Sequence, residues 1–411
     1  MSDTYTVISG DTFELIARKK YGTEQNASNV ALANPGVYEP LTPGTELIIP
    51  EIPNAPKDKQ QQTASNNNEE VALLIDGKRF KFWDKIRFTD TLDSIDIVEF
   101  SAPFDVNLPG FKETFRPFSY QSVVVTVGGD PIFTGTMLTP VPVIENDNKI
   151  ISVSCYSLPG VLNDCTPPAS MLDKLEFNDQ YLREIITTLI APFGIVVDIQ
   201  ADQGAIFEIV ATDPDKKILI FIIELLKQRN LILTNDEQGK LVIWQSVKTG
   251  NPVAILRQGA TPVLSVTPSF EPQNYYSHIT GIDPVTVGLD GSQFTVKNPR
   301  LSGVVRPFIF KVPDTIDSTI KAAVEAKAGR MFGNLVSYVV RVNTWRDSTG
   351  NRWKSNTTII LQAPDAMIYN EYEFIIRSVD FEKDDKTETA TLNLVLPGSF
   401  SGEIPDTLPW D

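Results

Sequence analysis

Residues 51–70, Glu-Ile-Pro-Asn-Ala-Pro-Lys-Asp-Lys-Gln-Gln-Gln-Thr-Ala-Ser-Asn-Asn-Asn-Glu-Glu, constrain the fold more than any other stretch of the chain. They carry almost no apolar side chains, so they cannot bury a core and are expected to form a flexible tether. A polar coil of this length spans on the order of 25 Å on average, at roughly 5–6 Å × √n. The chain is thereby cut into a small unit, residues 1–50, and a body that begins at residue 71. Each must assemble its own core.

The first unit reads as β-α-α-β. Tyr5-Thr-Val-Ile-Ser-Gly10 is a short β-prone run ending in glycine, and Asp11 follows as the expected N-cap of a helix, with Glu14 at capping-box spacing. Leu15 and Ile16, with Phe13 and Ala17, supply an apolar face, and Gly22 closes the helix. A second helix is expected over about residues 26–33, ending at Asn34-Pro35-Gly36. Leu41-Thr-Pro-Gly-Thr-Glu-Leu-Ile-Ile-Pro50 then reads as a turn and a strand that returns to pair with Val7 and its neighbours.

The phrases Tyr5-Thr-Val, Gly10-Asp-Thr, Ile16-Ala, Asn34-Pro and Leu41-x-Pro-Gly-x-x-Leu-x-Ile-Pro50 resemble a LysM module over residues 5–50. The resemblance implies a shallow groove that takes N-acetylglucosamine-containing glycan or a partner protein. Its walls would be Gly10, Asp11, Thr12 and Phe13 on one side and Asn34, Pro35 and Gly36 on the other. The same residues also serve the helix start and the tight turns, so a purely structural role for them stays open.

The body opens with Val71-Ala-Leu-Leu-Ile-Asp-Gly-Lys-Arg-Phe, two strands about the two-residue turn Asp76-Gly77. Further β-prone runs follow near 86–88, 96–101, 122–127, 132–138 and 149–156, broken by Gly128-Gly129-Asp130 and Asn146-Asp-Asn148. The period then changes. Residues 178–191 carry Leu182, Ile185, Ile186, Leu189 and Ile190 at helical spacing, and a second helix is expected over 216–230. The turn Asn235-Asp-Glu-Gln-Gly239 separates two strands, and from Val263 the β pattern returns around one helix at about 318–332. The expected fold class is multidomain and mainly β with α+β parts. Its segments are 1–50, a linker 51–70, a β-barrel domain 71–174, a small α/β domain 175–255, a second β-rich domain 256–398, and an extended tail 399–411.

Composition excludes several functions. A formal charge of −16 opposes nucleic-acid binding through phosphate contacts, yet suits a bore through which DNA slides without sticking. His278, the single histidine, lies in an alternating strand pattern, which removes Cys-His amidases and two-histidine zinc peptidases. No local motif nominates a carboxylate pair for glycoside hydrolysis. Cys155 and Cys165 lack metal or disulfide spacing and read as reduced structural thiols. The start of the chain lacks the basic and apolar regions of a signal peptide. The longest apolar run, Ile218–Ile223 with Leu225 and Leu226, is interrupted by Glu224 and too short to span a bilayer, so no membrane insertion is expected. No cofactor and no metal are expected.

The body is also similar to the baseplate hub proteins of contractile-tailed phages, the Mu-type hub and late control protein D family. The residues concerned are Leu74-Ile-Asp-Gly-Lys-Arg-Phe80, Ile97-Val-Glu-Phe-Ser-Ala-Pro103, Asp130-Pro-Ile-Phe-Thr-Gly-Thr136 and the run from Ile222 to Ile243. This similarity implies a non-enzymatic virion protein of the tail baseplate, assembled in the host cytoplasm. It implies a homotrimer whose two tube-like β domains per chain adapt a hexameric tail tube protein to a trimeric central spike protein, among other baseplate proteins, with DNA passing through the lumen unbound. The tail could then seat Trp410 on a neighbouring subunit. The first unit would dock to peptidoglycan or to an inner tail component. The alternative is a bacterial peptidoglycan-binding protein or cell-wall hydrolase anchored by its LysM module.

Overall fold

The computed structural model describes residues 3–8, 10–21, 27–34, 37, 40–50, 70–107, 110–145, 148–246, 250–282, 293–298, 300–301, 303–312, 320–400 and 407–411. Two compact units emerge, Met1–Asn68 and Glu69–Asp411. The expected turn at 146–147 and the expected tether lie outside the described residues.

The first unit has the order β1 (Asp3–Thr6), α1 (Phe13–Tyr21), α2 (Ala27–Ala33) and β2 (Glu46–Ile49). β1 and β2 pair antiparallel, Tyr5 opposite Leu47, and Val7 N–H extends the ladder to Thr45 O at 2.9 Å. Phe13, Ile16 and Ala17 fall on one stripe of α1 and close over Val30, Leu41, Leu47 and Ile49. Leu15, counted with that stripe from the sequence, is 40% exposed because its position turns it off the buried face. The helix start also differs. Thr12, not Asp11, is the N-cap: its Oγ1 accepts from Leu15 N–H at 3.2 Å and its carbonyl accepts the first helical bond, from Ile16. Gly22, expected to close α1, lies outside the described residues.

The second unit begins with β3 (Val71–Ile75), β4 (Lys78–Phe80), β5 (Lys85–Thr91), β6 (Ile97–Pro103), α3 (Phe111–Thr114), β7 (Ser122–Val127), β8 (Asp130–Glu145) and β9 (Asn148–Ser157). Asp76 and Gly77 both have positive φ, +46° and +73°, as a two-residue hairpin requires. A middle segment follows: α4 (Val161–Asp164), β10 (Glu176–Gln180), α5 (Leu182–Ile190), β11 (Val197–Ile199), β12 (Phe207–Ala211), α6 (Ile218–Gln228), β13 (Leu231–Asn235) and β14 (Leu241–Gln245). The apolar spacing on α5 is realised as expected, with Leu182, Ile185, Ile186, Leu189 and Ile190 all buried. Residues 178–180, read as helix, are instead strand, since Tyr181 opens the helix and the Glu184 carboxylate accepts its N–H at 2.8 Å.

The last segment holds β15 (Ile255–Arg257), β16 (Val263–Phe270), β17 (His278–Ile282), β18 (Gln293–Lys297), β19 (Pro307–Lys311), α7 (Ile320–Gly333), β20 (Val336–Val342), β21 (Thr358–Ala363), β22 (Ile368–Asp384) and β23 (Glu388–Val395). β17, β18 and β19 form a separate three-stranded sheet, against which α7 buries Val324 and Ala328. This layer is not separated from its surroundings by any local pattern in the sequence.

The dominant feature is one 13-stranded sheet running β16-β20-β23-β22-β5-β6-β9-β8-β7-β3-β4, with β15 and β21 attached through β22. The sequence reading treats 71–174 and 256–398 as two barrels, but their strands share this one ladder. The physical reason is the length of β22, which is 17 residues. Its first part pairs with β21, its last part, Ser378–Asp384, pairs with β5, and β23 takes the opposite edge. One apolar core spans both segments, from Leu73, Val98 and Phe133 to Tyr338, Ile359 and Leu392.

Candidate functional site

Four of the seven residues expected to wall the N-terminal groove are described with their surroundings, together with Asn34; Pro35 and Gly36 lie outside the described residues. Gly10 is exposed and has φ +91°, a left-handed conformation that favours glycine. Thr12 is half-buried and caps α1, and Phe13 is buried in the core.

Asp11 is buried and fully engaged. Its Oδ2 accepts from Tyr5 Oη and Ile8 N–H, each at 2.9 Å, and its Oδ1 accepts from Lys19 Nζ at 2.6 Å. Burial pushes its carboxyl up, but the bonds from Ile8, Lys19 and Tyr5 outweigh this and hold it below the usual carboxylate range. The hydrogen bond to Asp11 in turn holds the Lys19 ammonium above its ordinary value.

Asn34 is equally committed. Its Nδ2 donates to Val30 O at 2.7 Å and Ile48 O at 2.8 Å, while its Oδ1 accepts from Ile48 N–H at 2.7 Å. The side chain thus stands in for a neighbouring strand along β2 and ties α2 to the sheet. What remains open around this loop is the Gly10 backbone, the Thr12 side chain and Ile8, which is 57% exposed. Such a surface suits contacts to backbone, hydroxyl and apolar groups rather than ionic chemistry. Ile8 carried no signal in the sequence beyond its place two residues before Gly10.

A second polar cluster, with no counterpart in the sequence reading, lies in the larger unit. Asp90 on β5 accepts from Ser355 N–H at 2.8 Å and Ser355 Oγ at 2.6 Å. Asp96 accepts from Thr91 N–H and from Asn235 Nδ2, and its own N–H donates to Asn235 Oδ1 at 3.0 Å. Ser157 Oγ donates to the same Asn235 oxygen at 2.8 Å. Burial raises both carboxyls above their ordinary values, Asp96 strongly and with a further push from the charge of Asp90. A cavity of about 380 Å³ lies over them, walled by Phe88, Trp353, Phe381 and the Lys354–Glu237 ion pair at 3.1 Å. The carboxylate oxygens are spent on donors from separate segments, so the cluster clamps β5, β13 and the chain before β21 together. Among the described residues no group of three or more His, Cys, Asp or Glu could hold a metal ion, and no helix is long and apolar enough to cross a membrane.

His278 sits on β17 as expected, with Nδ1 2.9 Å from Ser277 Oγ. Trp410, expected to reach a neighbouring subunit, packs edge-on against Phe270 of its own chain at 5.5 Å and stays 36% exposed. The reason is local anchoring: Arg300 pairs with Asp411 at 2.8 Å, and Tyr372 Oη donates to Thr407 O at 2.7 Å.

Residues 3–57 match the family model of Phage Tail Protein X. Residues 159–245, from α4 to β14, match that of the baseplate hub protein gp44-like second domain. Among solved structures, the 43 kDa tail protein of prophage MuSo2 from Shewanella oneidensis is similar with a TM-score of 0.68 and 26% identity, over 81% of this chain and 99% of that one. A tail protein from Neisseria meningitidis MC58 gives a TM-score of 0.67 at 17% identity, over 81% of this chain and 98% of that one. A component of the Escherichia coli type VI secretion system gives 0.50 at 10% identity, over 79% and 76%. No curated protein matches the chain in sequence. The chain therefore carries a tail-protein match in its first unit and a baseplate-hub match in its second, on a mainly β fold shared with phage tail proteins, which supports a structural role in the tail.

Proposed function

We propose that this protein is the hub of a contractile phage tail or a related injection machine, a homotrimer that adapts the hexameric tail tube to the trimeric central spike. The observation that carries this reading is the β5–β22 seam, which joins two β-rich segments of one chain into a single sheet. Each copy then offers two rigidly connected β-rich elements, and three copies offer six. The tail tube protein would meet the six-fold face, and the spike with other baseplate proteins the three-fold one. The formal charge of −16 lets DNA pass the lumen without sticking. The role is structural, with no catalytic step assigned to any residue, and the protein resides in the virion baseplate after assembly in the host cytoplasm.

The first unit is read as an appended LysM-like docking module. Its β-α-α-β order and the surface of exposed Ile8 and Gly10 beside half-buried Thr12 support docking of a glycan or a tail protein, with Asp11 and Asn34 shaping the groove from beneath. Negative-stain images of the full chain test the hub: three-fold rings are expected, and exclusively single-chain particles would refute it. Peptidoglycan pull-down with and without residues 1–62 tests the module. Retention lost on deletion supports glycan docking, and equal retention of both chains removes it.

A further inference from the structure

We propose that adjacent copies interlock through an aromatic knob at the β4 end of the sheet and an apolar hole at its β16 end. This rests on the trimeric reading and deepens it by naming the contact.

The knob is the loop between α3 and β7. Phe111 and Phe115 root it in the core, and Phe80 on β4 packs against Phe115 at 5.3 Å. Beyond this root the chain lifts Phe118 and Tyr120 into solvent, 83% and 61% exposed. Both adopt left-handed backbone conformations, φ +59° and +49°, which bulky side chains rarely take. Among the described residues nothing encloses these rings. Lys112 and Arg116 flank them, exposed and without an ion-pair partner among the described residues. With the exposed Glu113 between them, this leaves one net positive charge at an aromatic tip in a chain of formal charge −16.

The hole is a cavity of about 570 Å³ lined by Phe270 on β16, Tyr275, Phe332, Leu335, Tyr369 and Trp410, among other apolar groups. Its volume lies in the range that accepts a compact apolar ligand, roughly 300–1,000 Å³. Glu271 is the one charged residue of its lining, and no cation pairs with it among the described residues. An aromatic tip flanked by cations thus meets an apolar hole whose Glu271 carboxylate accepts from Asn274 Nδ2 at 2.7 Å and has no cationic partner among the described residues.

The trimeric reading favours a head-to-tail contact over a reciprocal pair about a two-fold axis. Knob and hole sit at opposite ends of one hydrogen-bonded path, β4 and β16. A knob on one copy that fills the hole of the next makes a heterologous contact, which forms a ring where the rotation between copies closes, as the trimeric reading requires. The match of an aromatic, cation-flanked tip to an apolar hole with Glu271 at its wall assigns the hole to a second copy of this chain.

Single-cysteine additions to the full chain test the contact. Phe118→Cys and Tyr369→Cys chains are mixed under mild oxidation, with the parent, which keeps Cys155 and Cys165, as baseline and melting curves as the check on folding. The expected result is a disulfide between the two variants and none within either alone. The chain bearing both substitutions is expected to give a covalent ladder ending at the trimer. Phe118→Ala with Tyr120→Ala is expected to weaken assembly on the order of thirtyfold. Homodisulfides of Phe118→Cys alone would overturn the head-to-tail contact. A trimer by mass with no cross-link would overturn the knob and hole while leaving the hub reading intact. A parent chain that is monomeric would overturn both.

Discussion

Phe88 on β5 and Phe381 on β22 face each other at paired register positions, their rings 5.6 Å apart and 11° from parallel. Beside them Arg87 donates to Asp380 at 2.9 Å and Thr89 Oγ1 to the same oxygen at 2.7 Å. Phe133 and Trp345 pack edge-on against this pair from either segment, which makes it the apolar centre of the seam. Phe381→Ala is expected to cost about 3–5 kcal/mol, as for other large buried aromatics. A chemical-denaturation midpoint lowered accordingly, with loss of protection in both β5 and β22 by hydrogen exchange, would bear this out. Unfolding confined to the last segment would refute a shared core.

Asn34→Ala removes the partner of both Ile48 N–H and Ile48 O. These peptide groups are part-buried, so each left unmet costs about 1 kcal/mol, the low end for such a loss, and a unit of this size has little stability in reserve. The first unit is expected to lose exchange protection in β2 while the second unit melts unchanged. Retained protection of Ile48 in the variant would show that the Asn34 side chain is not what holds β2.

The Asp96 carboxyl has a folded pKa raised well above 3.8, by burial first and by the charge of Asp90 second. The stability tied to its protonated form is fully present below the unfolded value and is lost as pH rises through the elevated folded value. Asp96→Asn, which cannot ionise, is expected to flatten the decline in melting temperature as pH rises above 4. An unchanged slope would mean that Asp96 does not carry it.

A methyl group on Gly333 would lie 2.1 Å from Ser399 Oγ and 2.3 Å from Ser399 Cα, so backbone must move to admit it. Gly333→Ala is expected to cost about 1–3 kcal/mol by overpacking and to loosen residues 396–400. The same substitution at Gly259, where nothing lies within 4 Å, strains the backbone without this clash and should leave those residues protected.

Local signals carried much of this architecture. Asp76-Gly77 and Gly128-Gly129 announced their hairpins, and the spacing of Leu182 to Ile190 announced α5. Features that depend on partners distant in sequence stayed hidden. The alternation along β22 says which side chains are buried but not that its far end pairs with β5, so the two β segments read as separate domains. The Asp90, Asp96 and Asn235 cluster has no local pattern, because ordinary surface loops contain the same residues. In the first unit the candidate positions were legible as turn and cap residues. That Asp11 and Asn34 spend their polar atoms inward was not, since Lys19 and Ile48 are brought to them only by folding.

Light scattering on the full chain at micromolar concentration tests the central claim most directly. The account predicts a species of three times 45.6 kDa, stable on dilution through the micromolar range. A single species at 45.6 kDa would contradict it.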